Sequence, residues 1–136
     1  MMSPALLSAA LLLLLLLPGG PVAGFGQARI TVLVTNSVTN SPNHTYGTYV
    51  YYRGILLGGL RRLQDSDSNF TFTYKEDPNY GPFLQSVNGL AGSNEERTYW
   101  ELLVNTTNNE IIRPDVGIGC YIPNDNDQII LNYKGY

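Results

Sequence analysis

The hydrophobic and polar positions of the chain change their period several times, and each period predicts a different element. A β-branched run at residues 30–35 (ITVLVT) lies between polar stretches and predicts a buried strand. Over residues 70–75, three aromatic residues alternate with two threonines and a lysine, which is the period of a half-buried strand. Composition predicts further strands at residues 46–52, 83–87, 98–104 and 128–133. The hairpin signal Asn88-Gly89 directly follows the strand at residues 83–87.

One segment has a helical period instead. Residues 55–64 (ILLGGLRRLQ) place their large apolar side chains on one helical face and Arg61 and Arg62 on the other. Gly58 and Gly59 would each cost about 1 kcal/mol relative to alanine inside a helix, so we expect close packing against a sheet to offset them. Two strands, a helix and several strands predict an α+β fold with one short helix on a sheet.

The N-terminal residues 1–26 are typical of a signal peptide rather than of a fold. The apolar run at residues 5–17 is too short for a bilayer, which needs about 20 apolar residues. Small residues follow it, and cleavage after Gly24, Gly26 or Ala28 would each fit. An uncleaved anchor remains an alternative. We therefore expect a secreted, extracellular domain over residues 27–136.

Secretion gives meaning to the Asn-x-Ser/Thr sequons, because these are glycosylated only in the secretory pathway. Asn43 and Asn105 lie in polar stretches that predict loops, where glycans attach easily. Asn69 begins an apolar run and could be covered. The sequence thus predicts a glycoprotein with these three candidate sites.

Charge and composition narrow the classes of partner. Eight basic and eleven acidic residues give a net charge of −3, and no basic stretch suggests nucleic-acid binding. A single cysteine cannot close an internal disulfide, and a single histidine gives no zinc site. We interpret Cys120 as a small buried apolar residue, with an intermolecular disulfide as the alternative.

Catalysis finds little support in the same residues, so no enzyme is predicted. His44 lies in a predicted loop and offers no base to a serine or to Cys120. The acidic pairs Glu95-Glu96 and Asp125/Asp127 stand among turn residues, and we interpret them as solvated turn acids. The segment around Asp125 lacks the glycine and distal glutamate of an EF-hand, so no protein-bound metal is expected.

Four ordered motifs carry a resemblance that covers essentially all of residues 27–136. They are YGPFLQSVNGLA at 80–91, TYWELL at 98–103, GIGCYIP at 117–123 and DQIIL at 127–131. In this order and nearly this spacing, they resemble the C-terminal β-domain of the transcobalamin, intrinsic factor and haptocorrin family. The resemblance implies a β-grasp-like mixed sheet packed on one short helix. In the larger members this domain is a lid over the corrin, and the α/α-barrel that completes the site is not part of the match.

The resemblance also implies two corrinoid-contacting segments. The first falls on Asn79, Tyr80, Gly81, Pro82, Phe83 and Leu84, and the second on Trp100, Glu101, Leu102, Leu103 and Val104. Tyr80 and Trp100 could rest on the apolar face of the corrin. Leu102 and Leu103 cannot both face the ligand from one strand, so one of them belongs to the core, and Trp100 is either a ligand contact or a core residue.

Three departures from the family pattern are present, and the first two bear on this site. Glu101 replaces a frequent glutamine with an acceptor-only carboxylate, the loop at residues 104–115 is longer, and Cys120 replaces a polar position. The leading interpretation is a secreted cobalamin-binding module that is weak alone, with cobalamin as ligand and a second chain or receptor as partner. The alternative is a secreted protein-interaction domain that kept the fold and lost vitamin binding.

Overall fold

A computed structural model describes residues 26–79 and 81–136 of the chain. The predicted signal peptide therefore lies outside the described residues, apart from Gly26, and so does Tyr80. The elements are β1 (Gln27–Asn36), β2 (His44–Tyr51), α1 (Leu56–Ser66), β3 (Phe72–Asp77), β4 (Gly81–Val87), β5 (Leu90–Ala91), β6 (Thr98–Asn105), β7 (Ile111–Ile112) and β8 (Gln128–Gly135).

The larger sheet has the strand order β2-β1-β8-β6-β7. Strand β1 pairs antiparallel with β2 but parallel with β8, and β6 is antiparallel to both of its neighbours. The first and the last strand of the described residues therefore lie side by side within the sheet. With helix α1 packed against it, this mixed sheet confirms the α+β class.

The smaller sheet is antiparallel and has the order β3-β4-β5. Asn88 and Gly89 connect β4 to β5 with φ angles of 50° and 83°. Two consecutive residues with positive φ form the tight hairpin turn that an Asn-Gly pair favours. The predicted hairpin is confirmed, although β5 itself is only two residues long.

Helix α1 covers one face of the larger sheet with its apolar side. Leu56, Leu60 and Leu63 are fully buried in the same core cluster as Val32 of β1 and Leu131 of β8. The helix has no side-chain cap at its start. Instead, the amides of Leu56 and Leu57 donate to the carbonyls of Tyr121 and Ile118 at 2.8 and 2.9 Å, so a turn from the opposite end of the chain satisfies them.

The two helix glycines differ in their surroundings. A Cβ added at Gly59 would lie 2.8 Å from Val50 Cγ1 and 3.4 Å from Ile30 Cδ1, because the helix backbone approaches the sheet most closely there. At Gly58 a Cβ would meet nothing within 4 Å. The predicted close packing thus accounts for Gly59 and is wrong for Gly58.

The interpretation of Asp127 as a solvated turn acid is wrong. Its side chain is only 1% exposed, and Oδ2 accepts hydrogen bonds from the Tyr121 hydroxyl and the Asn124 amide, both at 2.9 Å. The carboxylate therefore fastens the loop that precedes β8. Asp125, by contrast, is exposed and accepts from the Arg29 amide at 2.8 Å, and Glu95 and Glu96 are exposed as predicted.

The interpretation of Cys120 as a small buried apolar residue is also wrong. The thiol is free and the residue is exposed, at the end of a turn that begins at Gly117. The turn buries Ile118 rather than the cysteine, because Ile118 is the residue that faces the helix start.

Within residues 26–79 and 81–136, no helix has both the length and the apolar character needed to cross a membrane.

Candidate functional site

A cleft of about 460 Å³ lies between the smaller sheet and strand β6 of the larger one. It brings together the two segments that the resemblance singled out, since β4 supplies Phe83 and Leu84 and β6 supplies Trp100. The lining is mostly apolar or uncharged, with one lysine at its margin: Lys75, Phe83, Leu84, Gln85, Gly92, Ser93, Asn94, Thr98, Tyr99, Trp100 and Tyr136.

The first predicted segment is only partly in the cleft. Phe83 is 43% exposed there, and Leu84 is half-buried with part of its side chain against the core. Asn79 is exposed and donates its amide to Asp77 Oδ1 at 2.8 Å, and it does not line the cleft. Whether Tyr80 contacts a ligand stays a prediction.

Gly81 and Pro82 support the segment from behind. Gly81 has a φ of 72°, which favours glycine. The ring of Pro82 packs directly on the turn at residues 117–120, where a Cβ on Gly119 would lie 2.6 Å from Pro82 Cδ. This close contact fixes the backbone from which Phe83 projects.

Trp100 is a core residue with one edge at the cleft. It is 8% exposed, and its indole nitrogen donates to the Leu90 carbonyl at 2.8 Å. Its ring lies 5.1 Å from that of Tyr133, centroid to centroid. The indole therefore joins the smaller sheet to the larger one and leaves little of its surface open to a ligand.

The remaining residues of the second segment point in alternating directions. Leu102 packs against the core and Val104 is fully buried in it. Leu103 lies on the other face of the sheet, where it lines a surface pocket together with Ile130 and Asn132. None of the three lines the cleft, so their contact with a ligand remains a prediction made from the resemblance.

Glu101 also lies away from the cleft. Its side chain is 5% exposed, and its Oε2 is paired with Arg113 and lies 3.7 Å from Lys134 Nζ. Asn132 Nδ2 donates to Oε1 at 3.3 Å. These basic and amide partners compensate for the burial of the carboxylate.

The three sequons differ in accessibility. Asn43 precedes β2 and is exposed, and Asn69 is exposed as well, contrary to the expectation that the neighbouring apolar run covers it. Asn105 is the last residue of β6 rather than part of a loop. Its Nδ2, the atom that a glycan would modify, donates to Gln128 Oε1 at 3.3 Å.

Sequence reasoning did not place Lys75, Gln85, Ser93, Asn94 or Tyr136 at this site. One signal was available for Lys75, because it alternates with the buried aromatic residues of β3 and must therefore point outwards. The register then puts it beside Phe83. Gln85 lies within β4, whereas Ser93 and Asn94 come from the segment between β5 and β6 and Tyr136 follows β8. The hydrophobic period does not fix the course of these last segments.

Metal-binding side chains do not cluster in the part of the chain that the structure describes, where no group of three or more His, Cys, Asp or Glu could hold an ion.

A tyrosine with a strongly shifted pKa lies outside the cleft, in the loop before β8. Burial, together with the hydrogen bond to Asp127 and the charge of that carboxylate, raises the pKa of Tyr121 well above its usual value.

Comparison with known proteins places the chain in a family. Residues 56–135 match the family described as a domain of unknown function, DUF4430, and the chain belongs to it. Human Transcobalamin-1 is 30% identical over 97 residues, which cover 69% of this chain and 21% of that protein. The chain thus spans about a fifth of this curated relative, and it is a transcobalamin-like C-terminal β-domain.

Solved structures share the fold. Haptocorrin, crystallised in complex with Cbi, matches with a TM-score of 0.64 and 23% identity, over 80% of this chain and 26% of its own. A protein from Ruminococcus gnavus ATCC 29149, whose metal binding is itself only proposed, matches with a TM-score of 0.54 and 16% identity. That match covers 80% of this chain and 98% of the bacterial one.

Proposed function

We propose that this chain is a secreted cobalamin-binding module that resembles the lid domain of vitamin B12 carriers and binds weakly on its own. The observation that carries the proposal is the cleft, in which Phe83, Leu84 and Trp100 meet although they come from different sheets. The likeness to Transcobalamin-1 and to haptocorrin supports a corrinoid as the ligand. The central parallel pair of first and last strands, with one helix on the sheet, supports a β-grasp-like fold.

The chemistry of the cleft suits a corrinoid. The exposed ring of Phe83 and the half-buried ring of Tyr99 offer apolar contact to the macrocycle. Gln85, Ser93 and Asn94 offer donors and acceptors to its peripheral amides. This combination of a broad apolar surface and a few polar groups is typical of small-molecule sites.

Weak binding follows from how little of the ligand such a cleft can cover. Good small-molecule sites bury about 70–90% of a ligand's surface, whereas this cleft contacts one side of a corrinoid. We propose that a second protein chain, or a receptor, covers the other side. The domain over residues 27–136 is then one half of a two-part carrier.

Titration of the secreted protein with cobalamin tests the proposal. Corrin absorbance and Trp100 fluorescence should change together with a weak Kd, and Phe83→Ala should weaken binding by about 1–2 kcal/mol because it removes exposed aromatic contact. Tyr52→Ala is the matched control, since Tyr52 is an exposed aromatic residue outside the cleft. Absence of any saturable change would refute corrinoid binding, and retention of cobalamin through extensive dialysis by the monomer would refute weak binding.

Secretion and glycosylation are tested in the same preparation. We expect the N-terminus of the secreted protein to fall after Gly24, Gly26 or Ala28, and glycans at Asn43 and Asn69, whose side chains are exposed. A glycan on Asn105 would replace one of the two hydrogens on the Nδ2 atom that donates to Gln128. Mass spectrometry of Asn43→Gln, Asn69→Gln and Asn105→Gln, each with and without a glycosidase, identifies the modified positions, and an intact Met1 would contradict secretion by this route.

The alternative function is a secreted protein-interaction domain that kept the fold without the vitamin. The burial of Trp100 favours it, because only 8% of this residue is exposed and its ring lies beside that of Tyr133. A non-enzymatic role is part of both proposals, and the carrier and binding proteins among the relatives support it.

A further inference from the structure

We propose that Lys75 makes the cleft selective for corrinoids that carry an anionic group, such as the phosphodiester of cobalamin, and this inference rests on the proposed corrinoid-binding function. Lys75 lies on β3 directly beside Phe83 of β4, and both residues line the cleft. A cation thus stands next to an exposed aromatic contact of the site.

Among the described residues that line the cleft, Lys75 carries the one formal side-chain charge, and the others are apolar, hydroxyl or amide side chains and glycine. The two ion pairs found within residues 26–79 and 81–136 both involve Glu101, and neither includes Lys75. Its ammonium group is therefore not neutralised by an ion pair in the described part of the chain. Two of the described acids, Glu76 and Asp77, follow it on β3, but neither lines the cleft.

The net charge of the protein makes this local arrangement significant. With a net charge of −3, the molecule as a whole repels anions. An anionic ligand would gain from Lys75 only when the ligand sits in the cleft, within about 4 Å of the ammonium group. A ligand with a flat apolar ring system and one anionic group at its edge would place the ring system against Phe83 and the anion beside Lys75.

Two corrinoids allow the effect of the anionic group to be measured separately from that of the macrocycle. Cyanocobalamin contains one phosphodiester, whereas cobinamide has the same macrocycle and lacks the nucleotide with its phosphodiester. We expect Lys75→Met to weaken cyanocobalamin binding about fivefold, in the upper range for exposed charge pairs, and to leave cobinamide binding within about twofold. Lys75→Arg, which keeps the charge, should restore most of the difference.

The matched control is Arg29→Met, which changes the net charge equally at an exposed residue that lies outside the cleft. It should alter neither affinity by more than about twofold. For the wild-type protein, raising the salt concentration should weaken cyanocobalamin binding more than cobinamide binding, because salt screens the exposed charge pair.

The outcomes distinguish this inference from the function beneath it. If neither corrinoid binds, the proposed function fails. If both bind and Lys75→Met weakens them equally, or not at all, corrinoid binding stands and selectivity through Lys75 is overturned.

Discussion

The core beneath helix α1 and the cleft beside it both take residues from strand β6, yet they cover their apolar side chains to very different extents. In the core, Val104 and its neighbours are fully buried. At the cleft, Phe83 keeps 43% and Tyr136 65% of its surface exposed. The comparison shows that different aromatic residues are buried in the core and exposed at the cleft, and that Trp100, despite its place in a predicted ligand segment, belongs mainly to the buried group.

The largest expected effect tests this division directly. Trp100→Ala should lower the free energy of unfolding by about 3–5 kcal/mol, because it leaves a cavity in the core and frees the Leu90 carbonyl. Phe83→Ala should lower it by less than about 1 kcal/mol, since Phe83 lies at the surface and is already 43% exposed. Urea unfolding of both variants measures the two effects.

Corrinoid titration of the same variants sharpens the comparison, with Tyr80→Ala as a second probe of the first segment. A Trp100→Ala protein that keeps its stability and loses ligand affinity would move Trp100 from the core to the site. A loss of stability at Trp100 without any ligand effect at Phe83 or Tyr80 would favour the protein-interaction function.

An effect of intermediate size separates the two glycines of α1. Gly59→Ala should cost about 1–3 kcal/mol, because the new methyl group would overlap Val50. Gly58→Ala should instead raise stability by about 0.5–1 kcal/mol, since alanine is the better helix former and the position is open. Thermal unfolding of the pair gives the sign of each change, and equal effects would contradict the observed contact between helix and sheet.

The smallest effect concerns the loop before β8. Since the folded state raises the pKa of Tyr121, the unfolded chain loses this proton first, at about pH 10. The contribution to stability is therefore complete below that pH and declines as the pH rises above it. Tyr121→Phe should cost about 1 kcal/mol at neutral pH and flatten this alkaline decline.

Tyr52→Phe is the matched control, because Tyr52 is exposed and lies outside this loop. Denaturant unfolding at several pH values above 9 compares the three proteins. An alkaline decline in Tyr121→Phe as steep as in the wild type would show that the bond to Asp127 is not its source.

The sequence predicted the longer elements because their hydrophobic periods are unambiguous. Residues 30–35 lie within β1, residues 128–133 within β8, and the predicted helix at 55–64 corresponds to α1 at Leu56–Ser66. It did not predict β5 or β7, whose two residues are too short for any period to appear. The pairing of β1 with β8 was not predicted either, because the two strands are far apart in the sequence.

The site was predictable to a smaller degree. Motif resemblance selected Phe83, Leu84 and Trp100, which meet at the cleft, but could not tell a buried indole from an exposed one. Asp127 stands among turn residues, and only the folded loop brings Tyr121 and Asn124 to its carboxylate. A local sequence pattern does not predict a hydrogen bond whose partners are brought together only by the course of a loop.

The parallel pairing of β1 with β8 also orders events during synthesis. Strand β8 separates β1 from β6 in the sheet, and it begins about 90 residues after β1 ends. At a translation rate of about 5–20 residues per second, the β1–β2 hairpin waits for roughly 5–20 s with one edge unpaired. Long-range closure of this kind slows folding and leaves strand edges open to other chains. The nascent chain, more than the finished domain, is therefore the form that most needs protection by chaperones.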